Sequence, residues 1–552
     1  MSTILHRFAR RVLPARSRSG KPAGTVGTGT PPPAVDAGPA PDRSATSPAP
    51  LETHVWLVAG PRTSAALAKE WRQTEPVPGS WRAELGRELP DLMVVGDDVP
   101  ATWATGELAA LLSAMGERSV PRVGWFSTTT PGADVVSLLD AVLATADRAE
   151  ALRRLGADPV EVAASASPHQ LVAAPPRPAR LRTTGIVHTE PSALPDEVAR
   201  RLAAQPTVKV RPVVPDTLGL GSARGLVAHD RTPAQTIAEA ALAATPVVRL
   251  LTDGPAASGT PVVRDVDDVK ALRSEAVALL NQDELVDREG HLLRRALLRG
   301  GTYRDRAADM LRAGGLDLPP ADRTVSFVVP TNRVHELDNV LANAARQRDV
   351  DLELVLVLHG VDVDEPSLTA RARDLGLADV TVVRADPQLT LGTCMNLGVD
   401  AASGRWIAKV DDDNYYGAEY AADLVDAFRY TEAQITGKWA HYVWLRSTGA
   451  VVLRYPDSEH SYERRVQGGS MMFDRDLVKD VRFSDIPRAV DSDILDRAAA
   501  AGARIYSADR FNFVSVRGSD RMSHTWTVDD STFFTAKGDL RFFGDPREHV
   551  EV

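Results

Sequence analysis

From residue 51 onward, short apolar runs alternate with longer segments whose apolar residues recur at helical spacing. The runs are HVWLVAG (54–60), DLMVVG (91–96), RVGWFST (122–128), TGIVHT (184–189), TVKVRPVV (207–214), GLVAHD (225–230) and PVVRLLTDG (246–254). Between them lie Ala/Leu-rich stretches such as ELAALLSAMG and DVVSLLDAVLATA, which read as helices. This alternation predicts βαβ units and a parallel sheet. Many runs end in Gly, Asp or Thr, as strand ends facing a crevice do, but no Gly-rich phosphate fingerprint accompanies them. Residues 267–318 read as mainly helical. Gly314-Gly315 closes the last helix and Pro319-Pro320 stops it, which predicts a domain boundary there.

A second α/β pattern follows. The strand VSFVVP (325–330) leads to a helix, HELDNVLANAARQ, and to a second strand, LELVLVLHG (352–360). A helix, SLTARARDLGL, a third strand, DVTVVRA (379–385), and a helix, GTCMNLGVDAAS, then lead to WIAKV (406–410). That last run ends in Asp411-Asp412-Asp413. Three adjacent carboxylates repel one another and do not share an apolar core. They are tolerable in an acidic turn, or around Mg²⁺ or Mn²⁺, which favour oxygen ligands and substrate phosphates. Their place at the end of a strand in a nucleotide-binding half-sheet, where open α/β sheets bind ligands, favours the metal–diphosphate reading.

A length of 552 residues predicts two or three domains. The net charge of −10 argues against a general nucleic-acid binder. The single cysteine, Cys394, excludes an internal disulfide and fits a reducing compartment. No apolar run reaches the length of a transmembrane helix. Residues 1–50 are basic, then rich in Pro, Ala, Gly, Ser and Thr, and read as a disordered terminus and linker. Ile4, Leu5, Phe8, Val12 and Leu13, set among arginines, have two readings: a short amphipathic helix lying on anionic lipid, or a frayed basic end.

Several ordered pieces resemble the family-2 glycosyltransferases, an inverting group with the GT-A fold, over about residues 323–530. They are Val328-Val329-Pro330-Thr331-Asn332, Leu391-Gly392 leading to Asn396 and Gly398, Ala402-Ser403-Gly404, and the three aspartates. Downstream come Gly468-Gly469-Ser470, Asp491-Ser492-Asp493, Arg510-Phe511-Asn512 and His524-Thr525-Trp526. The resemblance implies a nucleotide-diphosphate sugar donor, a glycan or lipid-linked acceptor, and a Mn²⁺ or Mg²⁺ ion. Donor binding falls to Pro330, Thr331, Asn332, Asn396, Asp411 and Asp412, and the metal to Asp411, Asp413 and His524. Gly468 and Gly469 fall beside the sugar or acceptor. Asp491 is the base that takes the acceptor proton, with Asp493 as runner-up or as helix cap. Two departures stand out. The acidic residue after the second strand is absent from Leu358-His359-Gly360, and Val490 stands where a Glu usually precedes the base.

Residues 51–318 resemble a degenerate GT-B-like lobe. The likeness rests on Thr232–Ala240, with Glu239, on Ala244-Thr245-Pro246-Val247-Val248, and on Thr302-Tyr303-Arg304-Asp305-Arg306. The expected organisation is a 1–50 terminus, a non-catalytic 51–318 domain, a 323–535 transferase domain and a 536–552 tail. The expected activity is inverting sugar transfer in cell-surface polysaccharide synthesis, in the cytoplasm or at the inner face of the membrane. The alternative is an inactive carbohydrate-binding or scaffold relative. A nucleotidyltransferase fits less well, because no Gly-rich, Arg/Lys-bearing loop follows the first strand.

Overall fold

Five consecutive residues of β1 (Leu51–Val58) and all four of β3 (Leu92–Val95) are buried. Strands apolar on both faces belong inside parallel sheets covered by helices. The first sheet runs β2 (Trp71–Thr74), β1, β3, β4 (Arg122–Phe126), β5 (Ala141–Ala144), β6 (Val160–Glu161), with every pairing parallel. The computed structural model describes residues 51–164, 175–189, 210–213, 217–229, 232–251, 263–316, 318, 321–518, 530–535 and 537–552. The amino-terminal basic segment and His524 lie outside them.

One expected helix is corrected. In DVVSLLDAVLATA the helix Ala133–Val136 covers only the first three residues, Ala141–Ala144 form the strand β5, and the last residue opens the next helix, Ala146–Arg154. An apolar run of four has no periodicity of its own, and here it pairs with both β4 and β6. Asp140, just before it, accepts from the Arg122 backbone N–H at 2.8 Å and fixes the entry.

A second all-parallel sheet runs β11 (Arg264–Val266), β10 (Val247–Leu250), β9 (Ala223–His229), β7 (Thr184–Thr189), β8 (Val210–Val213). The 51–318 segment therefore holds two sheets. The helix Tyr303–Ala313 returns to the first of them, packing Tyr303, Ala307, Met310 and Leu311 against Val55, Leu57 and Trp125. A reciprocal cap starts this helix, with Thr302 and Asp305 each bonding the other's backbone.

The third sheet runs β14 (Asp379–Ala385), β13 (Asp351–His359), β12 (Thr324–Thr331), β15 (Trp406–Lys409), β21 (Met472–Asp474), β17 (Ile435–Gly437), β22 (Ile505–Ser507), β20 (Ser461–Tyr462). Its first four strands are parallel, as expected, and β21 enters antiparallel. The helix Leu391–Ala401 lies close on one face, where a Cβ on Gly398 would sit 2.3 Å from the Val328 side chain. A fourth sheet runs β16 (Tyr415–Tyr416), β23 (Phe513–Arg517), β18 (His441–Leu445), β19 (Ala450–Arg454), β24 (Gly538–Phe543). The segment expected to be a tail thus supplies β24 and a short helix, Arg547–Val550, whose Val550 is fully buried.

The described residues form one compact unit. A single apolar cluster runs from Leu226 and Ala240 through Leu293 and Leu297 to Phe327, Leu356 and Tyr420. The helix Asp283–Leu298 carries this junction. Its Arg295 grips Asp423 with two bonds, at 2.8 and 2.7 Å, and Arg294 reaches His460 and Tyr430. Arg299, just past its end, reaches Asp426 at 3.0 Å and Glu419 at 2.7 Å. In return, Arg510 reaches back to Asp287 at 2.9 Å.

Candidate active site

Pairing β12 with β15 in register, Val325 opposite Trp406 and Val328 opposite Lys409, sets two strand ends side by side. Thr331-Asn332-Arg333 leaves one end and Asp411-Asp412-Asp413 leaves the other. Asp412 turns inward and is buried. It accepts from Thr331 Oγ1 at 2.6 Å and from Arg333, and Asn339 holds its carbonyl at 2.7 Å. Arg333 also donates to Asp413 at 3.0 Å. Burial works against the Arg333 charge, but Asp412 and Asp413 outweigh it and hold its pKa above the ordinary arginine value.

Asp411 points the other way. Its backbone N–H donates to Tyr416 Oη at 2.8 Å, and that hydroxyl donates to the Gly469 carbonyl at 2.6 Å. One carboxylate oxygen takes Lys409 Nζ at 2.6 Å, and the other lies 3.3 Å from Asn414 Nδ2. Burial raises the Asp411 pKa. Lys409 opposes the shift, while Asp491 and Asp413 add to it.

Asp491 stands in the first turn of the helix Val490–Ala500. Its Oδ1 lies 3.5 Å from Lys409 Nζ and has no other hydrogen-bond partner among the described residues. Lys409 is only 2% exposed, so one buried ammonium faces both carboxylates. Burial alone would lower its pKa, but Asp411 and Asp491 reverse that and hold it above the usual lysine value. The two glycines close the cradle. A Cβ on Gly468 would sit 2.1 Å from Asp491 Oδ2, and one on Gly469 would sit 2.4 Å from Asp411 Oδ2.

Other expected residues lie elsewhere or are committed. Asp493 is not the helix cap: the cap position is Ala489, at φ 61° and ψ 24°, with no side-chain cap. Two residues along a helix from Asp491, Asp493 points to a different side. It bonds Ser484 and Arg497, which hold its pKa below the usual range. Asn396 closes a two-way bond with the Phe483 backbone, at 2.8 and 2.9 Å. Asn332 is exposed beside half-buried Pro330. Val490 is buried among Val328, Met395 and Phe473, so the position of the usual Glu serves the core. Glu239 is buried in the amino-terminal region, paired with Arg62 at 2.5 Å and Gln235 at 3.1 Å.

Beside Asp413 opens a cleft of about 370 Å³ lined by Arg333, Asp413, Tyr415, Trp444, Arg446 and Arg547 among others. The Trp444 indole N–H is buried with no hydrogen-bond partner among the described residues. Sequence reasoning missed Arg333, Tyr416 and Lys409. Only Lys409 left a signal, as a charged residue inside the buried run WIAKV, where lysine is rare unless paired.

Residues 326–476 match the family model described as Glycosyl transferase family 2. That segment of the chain resembles family 2 glycosyltransferases. The matched segment includes Asp411–Asp413 and Gly468-Gly469, and it ends before Asp491. Three solved structures are similar to it. One is the mannosyltransferase PcManGT from Pyrobaculum calidifontis in complex with GDP-Man and Mn²⁺ (19% identity, TM-score 0.30, 36% of this chain and 56% of that one). The second is S. aureus TarS 1-349 in complex with UDP-GlcNAc (17%, 0.28, 37% and 61%). The third is GalNAc-T7 with UDP, GalNAc and Mn²⁺ (13%, 0.29, 36% and 45%). The chain thus spans less than two thirds of each. No curated protein matches the sequence.

Two places in the chain can be tested for a metal. At the strand ends, Asp411 and Asp413 offer hard oxygen donors, and the absence of a Cβ on Gly469 leaves open the space against Asp411 Oδ2. That donor set fits a divalent cation. A second group, His291, Asp423 and Asp509, has ligand atoms within 4.8 Å of one another, close enough to share an ion. Lys409 and Arg333 each take only one oxygen of the first pair, whereas here Arg295 takes both oxygens of Asp423, at 2.8 and 2.7 Å, and the fully buried Lys438 pairs Asp509 at 2.9 Å. That group is better described as part of the charged junction.

Proposed function

We propose that the chain is an inverting, metal-dependent glycosyltransferase that moves a sugar from a nucleotide-diphosphate donor to a hydroxyl of a glycan or glycoconjugate. The observation that carries this reading is the convergence of Asp411 and Asp491 on one buried ammonium beside a family 2 match. A base and a cation-binding carboxylate are needed on opposite sides of one reacting carbon. Asp491 Oδ1 faces Lys409, and Oδ2 lies against Gly468, where no side chain blocks an incoming hydroxyl. Asp491 takes the hydroxyl proton as the oxygen attacks the anomeric carbon. The bond from that carbon to the diphosphate breaks, and the nucleoside diphosphate leaves with the electron pair.

Asp411 and Asp413 would hold the divalent ion, whose chemistry is to offset the charge growing on the leaving diphosphate. His524 belongs to the same proposal from sequence alone. Arg333, already seated on Asp412 and Asp413, adds a fixed positive charge on the same side, next to the 370 Å³ cleft. We place the reaction in cell-surface polysaccharide synthesis on the cytoplasmic side. The twin parallel sheets and the returning helix support reading residues 51–318 as a GT-B-like scaffold or acceptor-binding lobe.

The alternative, a relative without turnover, draws on that same Arg333, an internal cation sitting on Asp413. Nucleoside diphosphate release from UDP-GlcNAc, UDP-glucose and GDP-mannose, with Mn²⁺ and with EDTA, separates the two. Metal-dependent release that Asp413→Ala and Asp491→Asn each lower by about 10²–10⁴-fold supports the enzyme. Full turnover by a folded Asp491→Asn protein removes Asp491 from the role of base.

A further inference from the structure

We infer that Lys409 is a positioning residue that ties the base-side carboxylate to the metal-side carboxylate. Its Nζ lies 2.6 Å from Asp411 Oδ1 and 3.5 Å from Asp491 Oδ1, at the end of a strand where it is 2% exposed. An ammonium 2% exposed is closed off from direct contact with a substrate, so its part in sugar transfer runs through these two groups. The inference rests on the reading of Asp491 as base.

Three features make the tether specific. First, Asp491 Oδ1 is buried and has no other hydrogen-bond partner among the described residues, so the ammonium supplies its compensating charge. Second, Asp491 arrives on a helix that starts from a left-handed alanine, Ala489, and has no side-chain cap, so its first turn is not pinned by its own cap. Third, the glycine pair fixes the opposite side. Gly468 abuts Asp491 and Gly469 abuts Asp411, while Tyr416 bonds both Gly469 and the Asp411 backbone. With Lys409 between them, the two carboxylates keep one spacing, and Asp491 Oδ2 stays turned toward Gly468. Without it, two like charges share the pocket and the base swings out of line.

The test uses the full chain with Lys409→Met, Asp491→Asn and the double variant. Two readouts apply. The first is thermal melting, which needs no substrate. Each single change lowers the melting temperature, and the double lowers it by less than the two single losses together. Strict additivity overturns the pairing. The second is nucleoside diphosphate release from whichever of UDP-GlcNAc, UDP-glucose or GDP-mannose the wild type turns over. A tether acting through the base lowers kcat about 100-fold, the scale of lost acid–base catalysis, with the donor KM within about threefold. The double variant then falls no further than Asp491→Asn alone. Wild-type kcat for a folded Lys409→Met protein overturns the inference, as does a donor KM that rises while kcat holds. A folded Asp491→Asn protein with full turnover instead marks failure of the base assignment, whatever Lys409 does.

Discussion

Replacing Gly468 by alanine should disable the site while leaving the fold standing. A Cβ there would meet Asp491 Oδ2 at 2.1 Å, Cγ at 2.7 Å and Cβ at 3.1 Å. Ordinary contact begins near 3.4 Å, so the carboxylate oxygen must retreat by 3.4 − 2.1, or about 1.3 Å. Turning the carboxylate about its own bond does not suffice, because Cγ and Cβ are also too close. The whole side chain moves, and its distance to Lys409 changes with it. A displacement of about 1 Å in a reacting group costs on the order of 100-fold in rate. The backbone does not resist, since Gly468 is not among the glycines of positive φ. The assay is kcat/KM for nucleoside diphosphate release, read beside a melting curve. A control is Gly106→Ala in the helix Thr105–Gly116, where an added Cβ meets nothing within 4 Å. That change should add about 0.5–1 kcal/mol of stability and leave the rate alone. If Gly468→Ala melts like the wild type and keeps kcat/KM within threefold, the close approach of Gly468 to Asp491 does not set the base.

Arg295→Met should destabilise the protein by roughly 3 kcal/mol, because it strands the buried Asp423 carboxylate with only longer contacts to Arg299, His291 and Asn512. Urea unfolding measures this, and a loss below about 0.5 kcal/mol would contradict it. The His441 imidazole is buried beside Arg454, with its Nδ1 against the Trp439 carbonyl, and its pKa falls from 6.5 to about 4. A depressed pKa means that the unfolded chain takes the proton first. The stability is therefore present above pH 6.5 and lost as pH falls toward 4, by roughly 3 kcal/mol at full extent. Denaturation at pH 7.5 and 4.5 should show that loss, and His441→Gln should flatten this part of the slope.

The parallel half-sheet β14-β13-β12-β15 was legible because its strands are long apolar runs with helices between them. The short pieces were not. β5 is four apolar residues that could have continued a helix, and only its two parallel neighbours decide the matter. β24 reads as a tail because its exposed Leu540 and Phe543 obey no alternation that marks a core face. In the site, Asp411, Asp491 and the glycine pair were visible as motif pieces and meet in space. Asp412 was visible only as one of three. Its inward turn toward Thr331 and Arg333 depends on the β12–β15 register, which no local pattern reveals. Arg333 and Tyr416 look like ordinary loop and strand residues until that register is known.

The arginines near the end of the helix Asp283–Leu298 set a limit on exchanging parts. Sequence punctuation at Pro319-Pro320 marks a natural cut, and a designer would divide the chain there. The cut would leave Asp423 on the transferase side without Arg295 and Arg299, would leave Asp426 with Arg323 alone at close range, and would split the apolar cluster that joins Leu293 and Leu297 to Phe327. A catalytic half expressed alone would therefore carry a charged and greasy scar rather than a finished surface. Grafting a different amino-terminal lobe would require it to present matching guanidinium groups at matching heights along one helix. The two lobes are separate in sequence, but they can be inherited or swapped only as a matched pair.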